Sequence, residues 1–100
     1  MAQITSGVSQ VRPGTFALRV SPNPFTSALY LTFDSARQQD MEFELRDLNG
    51  RNVFAAHLNA TAGENSAELQ ISDIPSGIYV GLLHSSEGTD VQKLIRLGAY

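Results

Sequence analysis

Between Phe16 and Leu97 apolar side chains recur at every second position, in short runs separated by turn-forming clusters. No stretch long enough for a helix keeps a helical period, so the pattern calls for an all-β fold in which each strand buries one face. "FALRV" places Phe16, Leu18 and Val20 on one side and Ala17 and Arg19 on the other; "LYLTF" places Leu29, Leu31 and Phe33 opposite Tyr30 and Thr32. In "MEFELRD", Met41, Phe43 and Leu45 face a core while Glu42, Glu44 and Arg46 face water. Asn49-Gly50 follows, the preferred pair for a two-residue type I′ hairpin because both central residues there take positive φ.

The next run, "RNVFAAHL", is apolar on both sides, with Phe54, Ala56 and Leu58 on one and Val53, Ala55 and His57 on the other, so its register stays open. "NATAGEN" reads as a loop, and "AELQI" as a strand with Ala67, Leu69 and Ile71 inward. "GIYVGLL" has Ile78, Val80 and Leu82 on one face and Tyr79, Gly81 and Leu83 on the other; apolar on both, it reads as a central strand. "SSEGT" turns the chain into a last run, "DVQKLIRL". About seven short strands at this spacing predict an immunoglobulin-like β-sandwich of antiparallel strands, with a small barrel as the alternative. "IPSGIYV" supports the sandwich, because Ile74, Gly77 and Tyr79 have the spacing of a tyrosine corner, with Gly77 admitting a tight entry that a Cβ would obstruct.

At 100 residues, 42% apolar and 17% charged, the chain suits one globular domain over residues 15–100 rather than a disordered segment. Residues 1–14, "MAQITSGVSQVRPG", read as a polar linker cut from something longer, and no signal-peptide pattern opens it. The formal charge of -3 is spread along the chain, which speaks against a nucleic-acid partner. No cysteine is present to form a disulfide or a thiolate metal site.

Candidates for chemistry are few. His57 and His84 lie in separate strands without a nucleophile-elbow context, and Glu42 and Glu44 read as a solvated strand face rather than a paired-carboxylate site. No calcium loop, metal-binding helix or glycine-rich phosphate loop occurs, so neither a metal nor a cofactor is implied, nor is an enzyme. A sugar-binding platform would have to use Tyr30 and Tyr100, the exposed rings that the alternation leaves.

"SPNPF" interrupts this pattern by giving up two backbone donors. Pro22 and Pro24 end the first strand and block register slip, Asn23 makes a side-chain turn between them, and Phe25 pins the crossing into the core.

Taken in order, "SPNPF", "LRDLNGRNV", "IPSGIYV" and the near-terminal "KLIRL" resemble the C-terminal sorting domain of the type IX secretion system, over Phe16 to Leu97. The resemblance implies a seven-stranded immunoglobulin-like sandwich that follows a cargo domain and addresses it for export. It further implies that the cargo passes through the periplasm, is recognised by an outer-membrane translocon, and commonly loses the module to a surface sortase, ending at the cell surface or outside the cell. Pro22, Asn23, Pro24 and Phe25 match the entry motif, Leu45, Asp47, Gly50, Arg51 and Val53 the hairpin motif, and Gly77, Ile78 and Tyr79 the third. Lys93, Leu94, Ile95, Arg96 and Leu97 fall on the terminal motif, the expected site of translocon recognition. As an exposed edge, that strand could pair with a receptor or with a second copy. Thr5, Ser6 and Gly7 are the candidate cleavage linker. The alternatives are a structural or adhesive sandwich like that of flagellar hook-capping proteins, and a carbohydrate-binding appendage of a secreted enzyme.

Overall fold

Leu29, Leu31 and Phe33 are buried while Tyr30 between them is half-exposed, the two-sided pattern that their alternation predicts. The same division runs through the longer strands of the computed structural model, which describes residues 15–71 and 73–98. The elements are β1 (Arg19–Ser21), β2 (Ala28–Ser35), β3 (Gln39–Arg46), β4 (Asn52–Ala60), β5 (Gly63–Gln70), β6 (Gly77–Ser85) and β7 (Gly88–Arg96). One sheet has the order β1-β2-β5 and the other β4-β3-β6-β7, with every neighbouring pair antiparallel. This is the immunoglobulin-like sandwich expected, except that β4 joins β3 instead of the sheet of β1, where a constant-type domain carries its fourth strand. β6 is central, as its two apolar faces require.

Both sheets feed one core. Phe25, Leu29 and Leu31 meet Phe43, Leu45, Leu83 and Leu94, all fully buried, and each such side chain stabilises the fold by about 1.5–3 kcal/mol. On β4 the open register resolves with Phe54, Ala56 and Leu58 against the core, while Ala55 and His57 face out. Val53 is the extra residue of a β-bulge, since Leu45 pairs with Phe54 but Arg46 with Asn52.

Four local expectations are corrected. The Asn49-Gly50 turn is not type I′: Gly50 has φ +87°, but Asn49 is not in the left-handed region. Asp47 and Arg51 close a three-residue loop, with the Asp47 N–H donating to the Arg51 carbonyl (3.0 Å) and the Gly50 N–H to the Asp47 carbonyl (2.9 Å). This is the turn-plus-bulge alternative that also demands glycine. "NATAGEN" is mostly strand, because the Asn65 carboxamide bonds Thr61 and Gly63 and supports a connection of only two residues between β4 and β5. At Gly77 a Cβ would meet nothing within 4 Å; glycine is needed there for a φ of +154°. The tyrosine corner itself is present, with the Tyr79 hydroxyl donating to the Pro75 carbonyl at 2.6 Å.

The fourth concerns "FALRV", where only Arg19 and Val20 belong to a strand. Ala17 sits at φ +51°, and the backbone N–H groups of Thr15, Phe16 and Leu18 converge on the carboxylate of Asp90 at 2.6, 3.0 and 3.1 Å. Asp90 is buried in β7, and a carboxylate accepting three main-chain donors replaces the ladder that this segment lacks. Phe16 still reaches the core, and its carbonyl accepts from Asp34 of β2 at 2.7 Å. Asp90→Ala strands those three donors and should destabilise the domain by about 3 kcal/mol or more, read as a lowered midpoint in urea unfolding.

Candidate functional site

The terminal motif occupies the end of β7, and strand geometry sorts its residues into two roles. Leu94 is buried in the core and Arg96 points to the same side, whereas Lys93, Ile95 and Leu97 belong to the opposite, outward set. Within its antiparallel register with β6, β7 directs the Lys93 and Ile95 carbonyls and the Ile95 and Leu97 N–H groups away from β6, towards what the sequence presents as an open edge.

That edge is occupied. The Asn23 carboxamide accepts from the Ile95 N–H at 2.9 Å and donates to the Lys93 carbonyl at 3.1 Å. Two residues on, the Phe25 N–H donates to the Ile95 carbonyl and the Leu97 N–H to the Phe25 carbonyl, both at 2.8 Å. Asn23 therefore does not make a local turn between the prolines; its amide imitates a strand residue against β7. The prolines suit this role because they fix their own φ and bring no further N–H that would need a partner. Phe25 is fully buried beneath the junction, and Ser21 ends β1, as Pro22 requires.

The third motif locks to the same end. Arg96 Nη1 donates to the Ile74 carbonyl at 2.8 Å, next to the Pro75 carbonyl that accepts from Tyr79. Arg96 is thus a structural tie rather than an outward charge. The hairpin motif lies at this end too, since Arg46 pairs with Val80 near the start of β6. Asp47 takes the N–H groups of Asn49 and Arg51 and the Arg51 side chain (2.9 Å), contacts that hold its carboxyl below the ordinary range, the Arg51 N–H foremost. Leu45 lies in the core, and Ile78 is exposed on the outer face.

On the outer face of the four-stranded sheet Glu44 is buried, not solvated. Arg46 covers it through two bonds at 2.8 and 3.0 Å, and His84 lies 3.2 Å away. The hydrogen bonds from Arg46 first, then from His84, hold the Glu44 carboxyl below the usual carboxylate range. Glu42, Glu44 and His84 bring ligand atoms within 4.8 Å of one another, but Arg46 already neutralises Glu44, and the group reads as side chains gathered around that ion pair. His57 is exposed beside Asp40 at 3.5 Å. Tyr30 stands exposed between Ser21 and Glu68 across the sheet, with no second ring opposite it. Tyr100, like Thr5, Ser6 and Gly7, lies outside the described residues.

Sequence reasoning missed Asp90, Glu44 and the reach of Asn23. Parity with Leu94 was the available signal for Asp90, which falls on the inward face of the last run.

Comparison with known proteins adds two findings. Residues 19–96 match the family described as the secretion system C-terminal sorting domain. Among solved structures the chain is similar to part of a β-glucosidase from Listeria innocua. It is 18% identical to the gluconolactone complex with a TM-score of 0.53, covering 87% of this chain and 16% of that one. The isofagomine complex gives 18% identity, a TM-score of 0.51 and the same coverage. At that identity the likeness is one of fold, and this chain spans about a sixth of the enzyme's length. A search of curated proteins finds no match.

Asn23→Ala removes both carboxamide bonds and should cost about 1–2 kcal/mol, with faster hydrogen exchange at the Ile95 amide. Because folding lowers the Glu44 carboxyl, its contribution is present above the ordinary Glu pKa of about 4.3 and is lost as pH falls through the folded value. Glu44→Gln should therefore flatten the loss of stability in the acid range, as seen in unfolding midpoints measured against pH.

Proposed function

This chain belongs to the family of secretion system C-terminal sorting domains, and from that membership we propose how it marks its cargo. As a type IX sorting signal it directs an attached cargo to the cell surface or the extracellular space. In our reading the cargo reaches the periplasm first, and an outer-membrane translocon then recognises the end of β7, Lys93 to Leu97. A surface sortase removes the module within the linker of residues 1–14, beside Thr5, Ser6 and Gly7, and the globular unit begins at residue 15.

The observation that supports this reading is the convergence of the motifs. The entry motif, the tyrosine-corner motif and the terminal motif are tied by direct hydrogen bonds at one end of the sandwich. Motifs far apart in sequence there build and hold a single strand end. Pro22, Asn23, Pro24, Phe25, Gly77 and Tyr79 are the scaffold in this account, and Leu45, Asp47, Gly50, Arg51 and Val53 form the adjoining hairpin.

A periplasm-targeted reporter fused ahead of residues 1–100 tests it. We expect the reporter at the surface or in the medium of a host carrying the secretion system, and in the periplasm of the same host without it. A version ending at Val91 should stay in the periplasm of both. A folded, intact fusion that remains periplasmic when the system is present would refute the proposal.

A further inference from the structure

Side chains of β6 and β7 on the outward face meet in the closely spaced pairs that lack mutual backbone bonds: Ile78 beside Ile95, Val80 beside Lys93 and Leu82 beside Val91. Leu97 continues the alternation one step past the strand. The outcome is an apolar face of Ile78, Val80, Leu82, Val91, Ile95 and Leu97 with the Lys93 ammonium rising from its middle. Five large apolar side chains are strongly exposed among the described residues, and three of them, Ile78 (41%), Val91 (64%) and Leu97 (52%), lie on this one ladder. Exposed apolar residues scattered singly are ordinary, whereas a contiguous group marks a surface that is covered in use.

Charge narrows what covers it. Arg46, on the other side of Val80, is bound to Glu44. Among the described residues no carboxylate lies within salt-bridge distance of Lys93. An exposed ammonium framed by aliphatic side chains complements an apolar surface carrying a carboxylate. The other route to recognition, adding a strand to β7, is blocked at the terminal motif because Asn23 and Phe25 already use the carbonyls of Lys93 and Ile95 and the N–H groups of Ile95 and Leu97.

We propose that the secretion machinery reads the folded module through this outer face of β6 and β7, by a protein surface that packs apolar side chains around a carboxylate paired with Lys93. The proposal rests on the sorting-signal reading above and extends it: half of the reading surface comes from β6, and within the terminal motif Lys93, Ile95 and Leu97 are read while Leu94 and Arg96 only hold them.

The test uses the reporter fusion of the full chain, with the thermal midpoint of each variant module measured alongside. Lys93→Glu, and separately the triple substitution Ile78→Ser, Val91→Ser and Leu97→Ser, should each lower export by about tenfold or more, the scale of losing one interface anchor. Lys93→Arg should export normally, and so should a control away from this face, Tyr30→Ser on β2 with Leu48→Ser in the β3–β4 loop, the other two strongly exposed apolar residues. Lys93→Gln supplies a charge-removing variant should the reversal disturb folding, and it should export poorly with an unchanged midpoint.

Normal export of folded Lys93→Glu, Lys93→Gln and the triple variant would overturn the proposal, and an equal loss in Lys93→Arg would overturn the carboxylate pairing. Sedimentation showing a dimer that Lys93→Glu dissociates without loss of export would assign the face to a second copy and overturn it as well. Failure of the unsubstituted module to export would instead refute the sorting function on which the proposal stands.

Discussion

Four hydrogen bonds between Asn23, Phe25 and the end of β7 hold the two sheets together at one end of the sandwich. β1 is part of the three-stranded sheet through Ser21, yet two residues later the chain is bonded to the outer strand of the other sheet. Such a crossing exposes backbone groups on both sides of the gap, and groups left unpaired beside a core are expensive. A side-chain amide solves the problem because it offers a donor and an acceptor at nearly the spacing of a peptide group. Asp90 performs the equivalent task further up β7, where its carboxylate collects three main-chain donors from residues 15 to 18. The first eleven described residues are therefore tied to the last strand at both ends, with β1 between the ties paired to β2. The cargo-proximal part of the module and its C-terminal motif form one mechanical unit.

That arrangement changes the part β7 can play. In strand order it is an edge, but over residues 93 to 97 it has hydrogen-bonded neighbours on both sides. An edge closed in this way is protected against adding a further strand from another chain. Recognition of this strand end, as proposed above, then falls to side chains, and in a strand only every second side chain faces a given partner.

The alternation made the core legible in advance. Leu29, Leu31, Phe33, Met41, Phe43 and Leu45 are buried as their period requires, and the two apolar faces of "GIYVGLL" correctly marked a central strand. Periodicity reports burial, however, and is silent about which polar group answers which backbone donor. Asp90 and Glu44 were hidden for that reason: a carboxylate looks solvated in sequence until the N–H groups or the guanidinium that meet it are located, and those of Asp90 come from the opposite end of the chain. The Asn49-Gly50 hairpin shows a different limit. Glycine was rightly expected at positive φ, but the bulge at Val53 lengthens the connection and changes the turn, and a bulge leaves no mark in an alternation already apolar on both faces.

The terminal motif joins these points. In "KLIRL" the residues that bind the module together, Leu94 and Arg96, alternate with those that face outward, Lys93, Ile95 and Leu97. A linear peptide of the same sequence would present both sets to a receptor at once; the folded strand presents only one. Placing Ile78 and Val80 beside the outward set requires β6, and β6 is held in position by Tyr79 and by the loop that Arg96 ties down. Under the proposed reading, an address on such a surface is complete only when the sandwich has folded, so export would depend on the integrity of the module rather than on the mere presence of its last few residues.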